Sequence, residues 1–224
     1  MADPSHTPAM RQFTRFKRQH PDCILLFRIG DFYETFDDDA VTIHKALGLT
    51  LTRRSEGIPM AGVPYHQIEV YLRRLIQQGF RVAVCDQVQD PKDAKGIVER
   101  AVTRVLTPGT LVDDGLLEEG VANRLAAVSA ADLRDPTRVG VAVVEASTGS
   151  FIVLECEALA LGDELAARGV HELLYPEAHA DSPGAVPPSV KHASDVLGIA
   201  ATPRPAWQFR PKEALESVLA QYGV

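Results

Sequence analysis

The stretch Cys23-Ile-Leu-Leu-Phe-Arg-Ile-Gly-Asp-Phe-Tyr-Glu34 is the most informative segment of the chain. Its first half is a nearly continuous apolar run, which is typical of a buried strand. Gly30-Asp31 then predicts a tight turn, because glycine tolerates positive φ and an aspartate side chain can bond to its own backbone. The turn places Phe32, Tyr33 and Glu34 at the end of a rigid strand. Two interpretations fit: an exposed probe of rings beside an acid, or a hairpin whose rings pack inward.

The composition is that of a soluble globular protein. The chain has 224 residues, of which 46% are hydrophobic and 24% charged, enough for one large or two ordinary domains. Cys23, Cys85 and Cys156 lie far apart, without disulfide or metal-ligand spacing, which favours a reducing compartment. No apolar run approaches the roughly 20 residues of a membrane span, and the first residues lack a signal pattern. We therefore expect a cytoplasmic protein with no membrane partner.

The net charge of −7 is unevenly distributed. Residues 1–113 contain 15 Lys and Arg against 14 Asp and Glu, a net charge of +1. Residues 114–224 contain 8 basic against 16 acidic residues, a net charge of −8. This difference predicts that the two halves have different partners.

Strand and helix signals interleave up to residue 113, which predicts an α/β (α+β) domain with a mixed sheet. Helices are predicted at residues 7–20, 40–47 and 65–78, and strands at residues 23–29, 32–36, 49–52, 80–85 and 98–106. Asp37, Asp38 and Asp39 are predicted to cap the second helix. Residues 58–64 are too rich in Pro and Gly for a helix or a central strand and predict a shaped loop with an extended backbone, in which Gly62 allows a close approach by another backbone or by a ligand.

The acidic, glycine-containing segment 113–120 is the predicted domain boundary, with domains at residues 1–113 and 121–224. Beyond it, strands are predicted at residues 125–128, 139–146 and 150–156, then a helix at 158–168 and a strand at 172–175. Three sequential strands followed by helix and strand predict a ribonuclease-H-like layer fold. Residues 176–188 predict a loop, and residues 211–222 a last helix.

Hydrolysis is one hypothesis for the chemistry. Five neighbouring acids could hold Mg²⁺ for phosphodiester cleavage: Asp31, Glu34, Asp37, Asp38 and Asp39. Helix capping explains the three consecutive aspartates without a metal. Glu145, near a strand end, could be the first acid of a nuclease site, but the sequence does not supply the converging acids that such a site needs. A metal-dependent nuclease is thus an open alternative.

The sequence gives less support to a nucleotide-binding or zinc site than to the hydrolysis hypothesis. The chain contains neither a Gly-x-x-x-x-Gly-Lys-Ser/Thr phosphate loop nor a Gly-x-Gly-x-x-Gly motif. Its seven histidines are scattered, and none has zinc-ligand spacing with a cysteine. We expect no catalytic residue, bound cofactor or metal of its own.

DNA recognition without catalysis is a further hypothesis. An exposed aromatic on a turn can insert between base steps, and a nearby acid can meet a base edge, where its pKa should rise. Arg11, Arg15 and Arg18 fall on one side of the first helix. They could contact phosphates or form an ordinary solvated face.

Several motifs, in the same order, resemble the N-terminal part of the bacterial MutS family of DNA mismatch-recognition proteins. They are residues 23–34 as quoted, Leu51-Thr-Arg-Arg54, Ile58-Pro-Met-Ala-Gly-Val-Pro-Tyr-His66, Val82-Ala-Val-Cys-Asp-Gln87 and Arg104-Val-Leu-Thr-Pro-Gly-Thr110. The resemblance is nearly continuous from Thr7 to about Leu125 and weaker beyond. It implies a mismatch-recognition domain at residues 1–113 and a connector domain at residues 121–224.

The resemblance also implies roles for individual residues. The Phe-x-Glu pair of the family falls on Phe32, which would stack on a mispaired base, and Glu34, which would hydrogen-bond to it. Arg53, Arg54 and Met60 would lie near the DNA backbone and groove. Tyr33, from the strand period alone, should face the opposite way and pack into the domain.

Proteins of this family continue into clamp regions and a dimerising ATPase that binds ATP and Mg²⁺, and the motifs of that part are absent here. The expectation is an N-terminal portion, with an incomplete connector, that binds mismatched double-stranded DNA and a downstream repair protein of the MutL type. An alternative is a protein-interaction module in which residues 114–224 dock a repair partner and DNA binding alone is negligible.

Overall fold

A six-stranded mixed sheet forms the centre of the first half of the chain. The computed structural model describes residues 7–54, 57–89, 96–111, 116, 122–132, 135–177 and 186–223. The chain divides into two compact units, Met1–Thr107 with Asp113–Leu117, and Pro108–Val112 with Glu118–Val224. Apart from Leu116, the predicted boundary segment 113–120 lies outside the described residues.

The first unit alternates helices and strands as the sequence predicts. Its elements are α1 (Pro8–Gln19), β1 (Ile24–Ile29), β2 (Phe32–Phe36), α2 (Asp37–Leu47), β3 (Thr52–Arg53), β4 (Pro59–Pro64), α3 (Ile68–Gln77, after a 3₁₀ turn at Tyr65–Gln67), β5 (Val82–Gln87) and β6 (Arg100–Leu106). The strand order is β3-β4-β2-β1-β5-β6. Only β1 and β5 run parallel, so the sheet is mixed and the predicted α/β class is confirmed.

Helix α1 covers one face of this sheet. Thr7 caps it, since its hydroxyl accepts the Met10 N–H at 3.3 Å, and Pro8 takes the first turn, where its missing N–H costs nothing. The buried Phe13 ring meets Phe27 and Phe36 edge-on, with ring centres 5.8 and 4.9 Å apart. These aromatic contacts fix the helix over β1 and β2.

Two predictions about residues 49–64 were wrong. The strand predicted at residues 49–52 is only the two-residue β3, and the loop predicted at residues 58–64 is β4, which pairs with β2 from Met60 to Pro64. Proline is tolerated here because Pro59 and Pro64 occupy the two ends of the strand. Beyond Pro59 and Met60, which β3 covers, the outer edge of β4 has no partner strand among the described residues.

The three aspartates lie in the first turn of α2, where acids favour the positive helix terminus as predicted, but the predicted helix start at residue 40 was wrong. The helix begins at Asp37 itself, and no side-chain cap is present at its Phe36 N-cap. Asp39 is buried instead, where it pairs with Lys17 at 2.8 Å and accepts the Leu25 N–H at 3.0 Å. This carboxylate therefore ties α2 to α1 and β1.

The second unit contains a five-stranded sheet in the order β11-β10-β7-β8-β9. Its elements are β7 (Arg124–Asp132), β8 (Asp135–Glu145), β9 (Ser150–Glu157), α4 (Leu161–Ala167), β10 (Val170–Pro176), α5 (Pro188–Leu197), β11 (Ala200–Arg204) and α6 (Pro211–Tyr222). An antiparallel meander β7-β8-β9, with β10 parallel to β7, agrees with the predicted ribonuclease-H-like layer fold. The sequence analysis missed α5 and β11, which adds to β10 in parallel.

Among the described residues, no helix combines the length and apolar character needed to cross a bilayer.

Candidate nucleic-acid interface

The β1–β2 hairpin turns at Gly30 and Asp31 and places consecutive residues on opposite faces. Gly30 takes φ +57°, which an L side chain rarely adopts, and Ile29 pairs with Phe32 across the turn. Phe32 is 47% exposed, whereas Tyr33 is 5% exposed. The prediction from the strand period, that Tyr33 packs into the domain, is confirmed. Of the two interpretations of this segment, each therefore holds for one ring.

Phe32 is the outer end of a row of side chains on the α1 face of the sheet. Alternation along β2 puts Phe32, Glu34 and Phe36 on this face, and their exposure falls from exposed to half-buried to fully buried. Phe36 is locked in the core against Phe13. The exposed ring thus extends from a rigid strand.

Glu34 occupies a space that exists because residue 62 is glycine. Gly62 pairs with Glu34 across β2 and β4, and a Cβ there would lie 3.4 Å from Glu34 Cγ and 3.1 Å from the Tyr33 carbonyl oxygen. The close backbone approach predicted for Gly62 is therefore present. Burial raises the pKa of Glu34, and the positive charge of Arg54 acts in the opposite direction and lowers it.

Arg54 and Met60 lie on the same side of the sheet as Glu34. The Arg54 guanidinium carbon is 5.5 Å from the Phe36 ring centre, and Nη1 is 4.0 Å from the Met10 sulfur. Met60 pairs with Phe36 and packs against the α1-side core. Arg53 differs: it is exposed in β3, and strand alternation directs it to the opposite face from Met60.

A polar and aromatic network lies behind the hairpin tip, and the sequence analysis missed it. The Tyr33 hydroxyl donates to Asp86 Oδ1, and Thr103 donates to Asp86 Oδ2. Burial, followed by this hydrogen bond to Asp86, raises the pKa of Tyr33 to about 12. The Arg28 guanidinium carbon lies 3.9 Å from the Tyr65 ring centre and 5.4 Å from that of Tyr33. The only sequence signals were a charged residue near the end of each apolar strand, Arg28 in β1 and Asp86 in β5.

The three arginines of α1 face solvent, whereas Lys17 is engaged with Asp39. Arg11, Arg15 and Arg18 are exposed, and the Arg15 guanidinium carbon lies 4.6 Å from the Phe16 ring centre. This geometry is compatible with both a phosphate-contacting face and an ordinary solvated one.

The acids considered for hydrolysis do not converge. Asp31, Asp37 and Asp38 are exposed, and Asp39 is engaged with Lys17. Glu145 pairs with Arg124 at 3.1 Å. Within the described part of the chain, no three His, Cys, Asp or Glu side chains form a group that could hold a metal ion. Among the residues that the structure describes, therefore, no contact favours the nuclease alternative.

Both halves of the chain match family models. Residues 7–115 match the model described as MutS domain I, and residues 123–224 match that of MutS domain II.

Curated relatives carry the same family name. The DNA mismatch repair protein MutS of Methanothrix thermoacetophila is 49% identical over 175 residues, which are 76% of this chain and 20% of that protein. The protein of that name from Symbiobacterium thermophilum is 53% identical over 150 residues, 65% of this chain and 17% of that protein. The one from Solibacter usitatus is 49% identical over 180 residues, 79% of this chain and 20% of that protein. The matched part thus spans a fifth or less of these relatives.

Proposed function

Because this chain belongs to the MutS family of DNA mismatch-repair proteins, we propose that its first domain recognises mismatched or unpaired bases in duplex DNA. In this proposal Phe32 is the wedge and Glu34 the base contact. The observation that carries it is the position of the exposed Phe32 at the tip of a rigid hairpin. The half-buried carboxyl of Glu34 lies on the same face, two residues further along β2.

The wedge role of Phe32 follows from the balance of stacking and unstacking. A base stacked on an aromatic side chain gains about 1–3 kcal/mol. Insertion between paired bases costs a few kcal/mol, and the cost is least where a base is mismatched or unpaired. One exposed ring can therefore offset insertion at a mismatch while remaining unfavourable in perfect duplex.

Glu34 is suited to a base edge rather than to phosphate. An ionised carboxylate is repelled by the DNA backbone, whereas a protonated carboxyl can donate a hydrogen bond to a base acceptor. Burial already raises the pKa of Glu34, and approaching phosphates would raise it further. The positive charge of Arg54 lowers the pKa of Glu34. If Arg54 paired with a phosphate, that charge would be compensated and Glu34 would be easier to protonate.

The remaining contacts of the proposal are electrostatic and non-polar. Arg54 and Met60, on the Glu34 side, would border the groove, and Arg53, on the other face, would reach the backbone. Because the backbone contacts are electrostatic, affinity should fall as the salt concentration rises, by an amount that scales with the number of phosphates that the protein neutralises.

The domain assignment extends the proposal to the whole chain. Residues 1–113 would bind DNA, and residues 121–224 would connect to a downstream repair protein of the MutL type. ATP binding, ATP hydrolysis and dimerisation are assigned to neither of these two domains, and we propose that both domains act in the cytoplasm.

The proposal is tested by titrating the 224-residue chain against labelled duplexes at low ionic strength, followed by fluorescence anisotropy. One duplex is fully matched, and the other two differ from it only in one G·T mismatch or one unpaired thymine. We expect the altered duplexes to bind about fivefold tighter or more, equivalent to about 1 kcal/mol. Equal binding to all duplexes would overturn the proposal. Undetectable binding to every duplex, with a repair protein retained by residues 114–224, would favour the interaction-module alternative.

A further inference from the structure

We propose that Arg28, stacked on Tyr65, is a positioning residue that fixes the hairpin tip and thereby orients Phe32. The inference rests on the proposed function, because it concerns how the wedge is held. None of the proposed DNA contacts involves Arg28 or Tyr65.

Both carbonyl groups of the turn are occupied. The Arg28 Nε donates to the Gly30 carbonyl oxygen, and the Tyr65 N–H donates to the Asp31 carbonyl oxygen at 2.9 Å. The first bond links the tip to its own strand, and the second links it to the 3₁₀ turn after β4. Arg28 and Tyr65 therefore hold the two peptide units immediately before Phe32.

Stacking fixes the Arg28 side chain in the position that this bond needs. Its guanidinium carbon, 3.9 Å from the Tyr65 ring centre, lies at cation–π distance. The same carbon lies 5.4 Å from the Tyr33 ring centre, and the Tyr33 hydroxyl is held by Asp86, which also accepts a hydrogen bond from Thr103. The Arg28 carbonyl oxygen also accepts a hydrogen bond from Arg100 Nε at 2.7 Å. The tip is thus connected through side chains to β5 and β6.

The direction of the Phe32 ring depends on these contacts of Arg28 and Tyr65, because burial does not hold the ring. Nearly half of the surface of Phe32 is exposed, so the direction of its ring is set mainly by the backbone that carries it. A tip that moved freely would have to be ordered on binding, and this ordering would cost conformational entropy and so reduce the affinity. A preformed tip avoids part of that cost and places the ring for insertion.

The chemistry requires arginine rather than any cation. A planar guanidinium can stack on a ring while its Nε donates sideways to a carbonyl, and a lysine ammonium cannot do both. Arg28→Lys therefore keeps the charge near DNA and removes the geometry. Tyr65→Phe keeps the stacking ring and the backbone N–H, and it is the conservative variant that should preserve function.

The test compares Arg28→Lys, Tyr65→Phe and Arg81→Lys in the 224-residue chain. Arg81 is the matched control, since it pairs with Asp22 at the opposite end of β1 and the same chemical change there leaves the tip untouched. Two quantities are measured: hydrogen exchange of the Tyr65 amide by NMR, and the affinity ratio for G·T-mismatched over matched duplex.

We expect Arg28→Lys to speed Tyr65 amide exchange by about tenfold or more, through local opening of the tip. The affinity ratio should fall at least about threefold, with matched-duplex affinity changed less than about twofold, because the charge is kept. Tyr65→Phe and Arg81→Lys should leave both quantities near the wild-type values.

Three outcomes would overturn the inference: unchanged Tyr65 exchange in Arg28→Lys, an unchanged affinity ratio despite faster exchange, or equal effects of Arg28→Lys and Arg81→Lys. If the wild-type chain does not discriminate between duplexes, the proposed function fails. The amide exchange then still decides whether Arg28 holds the tip.

Discussion

Glu34 and Gly62 face each other across β2 and β4 so closely that a Cβ on residue 62 would lie 3.4 Å from Glu34 Cγ. The same Cβ would lie 3.1 Å from the Tyr33 carbonyl oxygen, a backbone atom that cannot rotate away. The position of the carboxyl is therefore linked to the absence of a side chain at residue 62.

Gly62→Ala is expected to lower the free energy of unfolding by about 1–2 kcal/mol, because the new methyl group must push Glu34 or the β2 backbone aside. Urea denaturation measures this loss. Gly140→Ala is the matched control in another strand, where the nearest atom to a new Cβ is the Ser129 carbonyl oxygen at 3.9 Å. That variant should change stability by less than about 0.5 kcal/mol. Equal effects of the two substitutions would contradict the steric account.

Glu34→Gln is expected to stabilise the chain at neutral pH. The pKa of Glu34 is raised above its ordinary value of 4.5 by burial, so the folded state binds more protons than the unfolded state between those two pKa values. Wild-type stability should therefore fall as pH rises through this window, whereas the neutral glutamine carries no such penalty. The gain should disappear once the pH is below 4.5.

Urea denaturation at several pH values checks this prediction. Arg54→Gln should lower the free energy of unfolding at neutral pH, because it removes the charge that lowers the pKa of Glu34. The loss of stability caused by Arg54→Gln should be smaller in a chain that already carries Glu34→Gln. A Glu34→Gln gain that is independent of pH would show that desolvation of the carboxylate is not the cause.

Tyr33→Phe is expected to lower the free energy of unfolding by about 1–2 kcal/mol, because Asp86 loses one of its two hydroxyl donors. Chemical denaturation measures the loss, and Tyr65→Phe, on a 44% exposed ring, is the control. The effects of Thr103→Val and Tyr33→Phe on the free energy of unfolding should not be additive, since both hydroxyls donate to one carboxylate. Strict additivity would argue against a coupled network.

Local pattern was enough to predict the elements with strong signals. Thr7-Pro8 marks the start of α1, and the alternation of residues 32–36 separates Phe32 from Tyr33. In β4 the same rules failed because proline frequency was weighed without position: Pro59 and Pro64 stand at the strand ends, where they are tolerated.

The contacts that build the site were beyond sequence pattern because they join distant residues. Tyr33 and Asp86 are 53 residues apart, and the Asp39–Lys17 pair spans 22. Each of these residues looks ordinary in its own segment, and they meet only because the folded domain packs its strands side by side and its helices against them. The family resemblance assigned roles to Phe32 and Glu34 but none to Arg28 and Tyr65, although both lie within the motifs that carry it.

The affinity ratio for mismatched over matched duplex in Phe32→Ala, with Trp207→Ala as control, tests the central claim most directly. Trp207 is a large aromatic residue of the second unit and is 60% exposed. The account predicts that Phe32→Ala reduces the ratio to about one while weak binding to both duplexes and the fold persist, and that Trp207→Ala leaves the ratio unchanged. If the Phe32→Ala chain still discriminates as the wild type does, Phe32 is not the wedge.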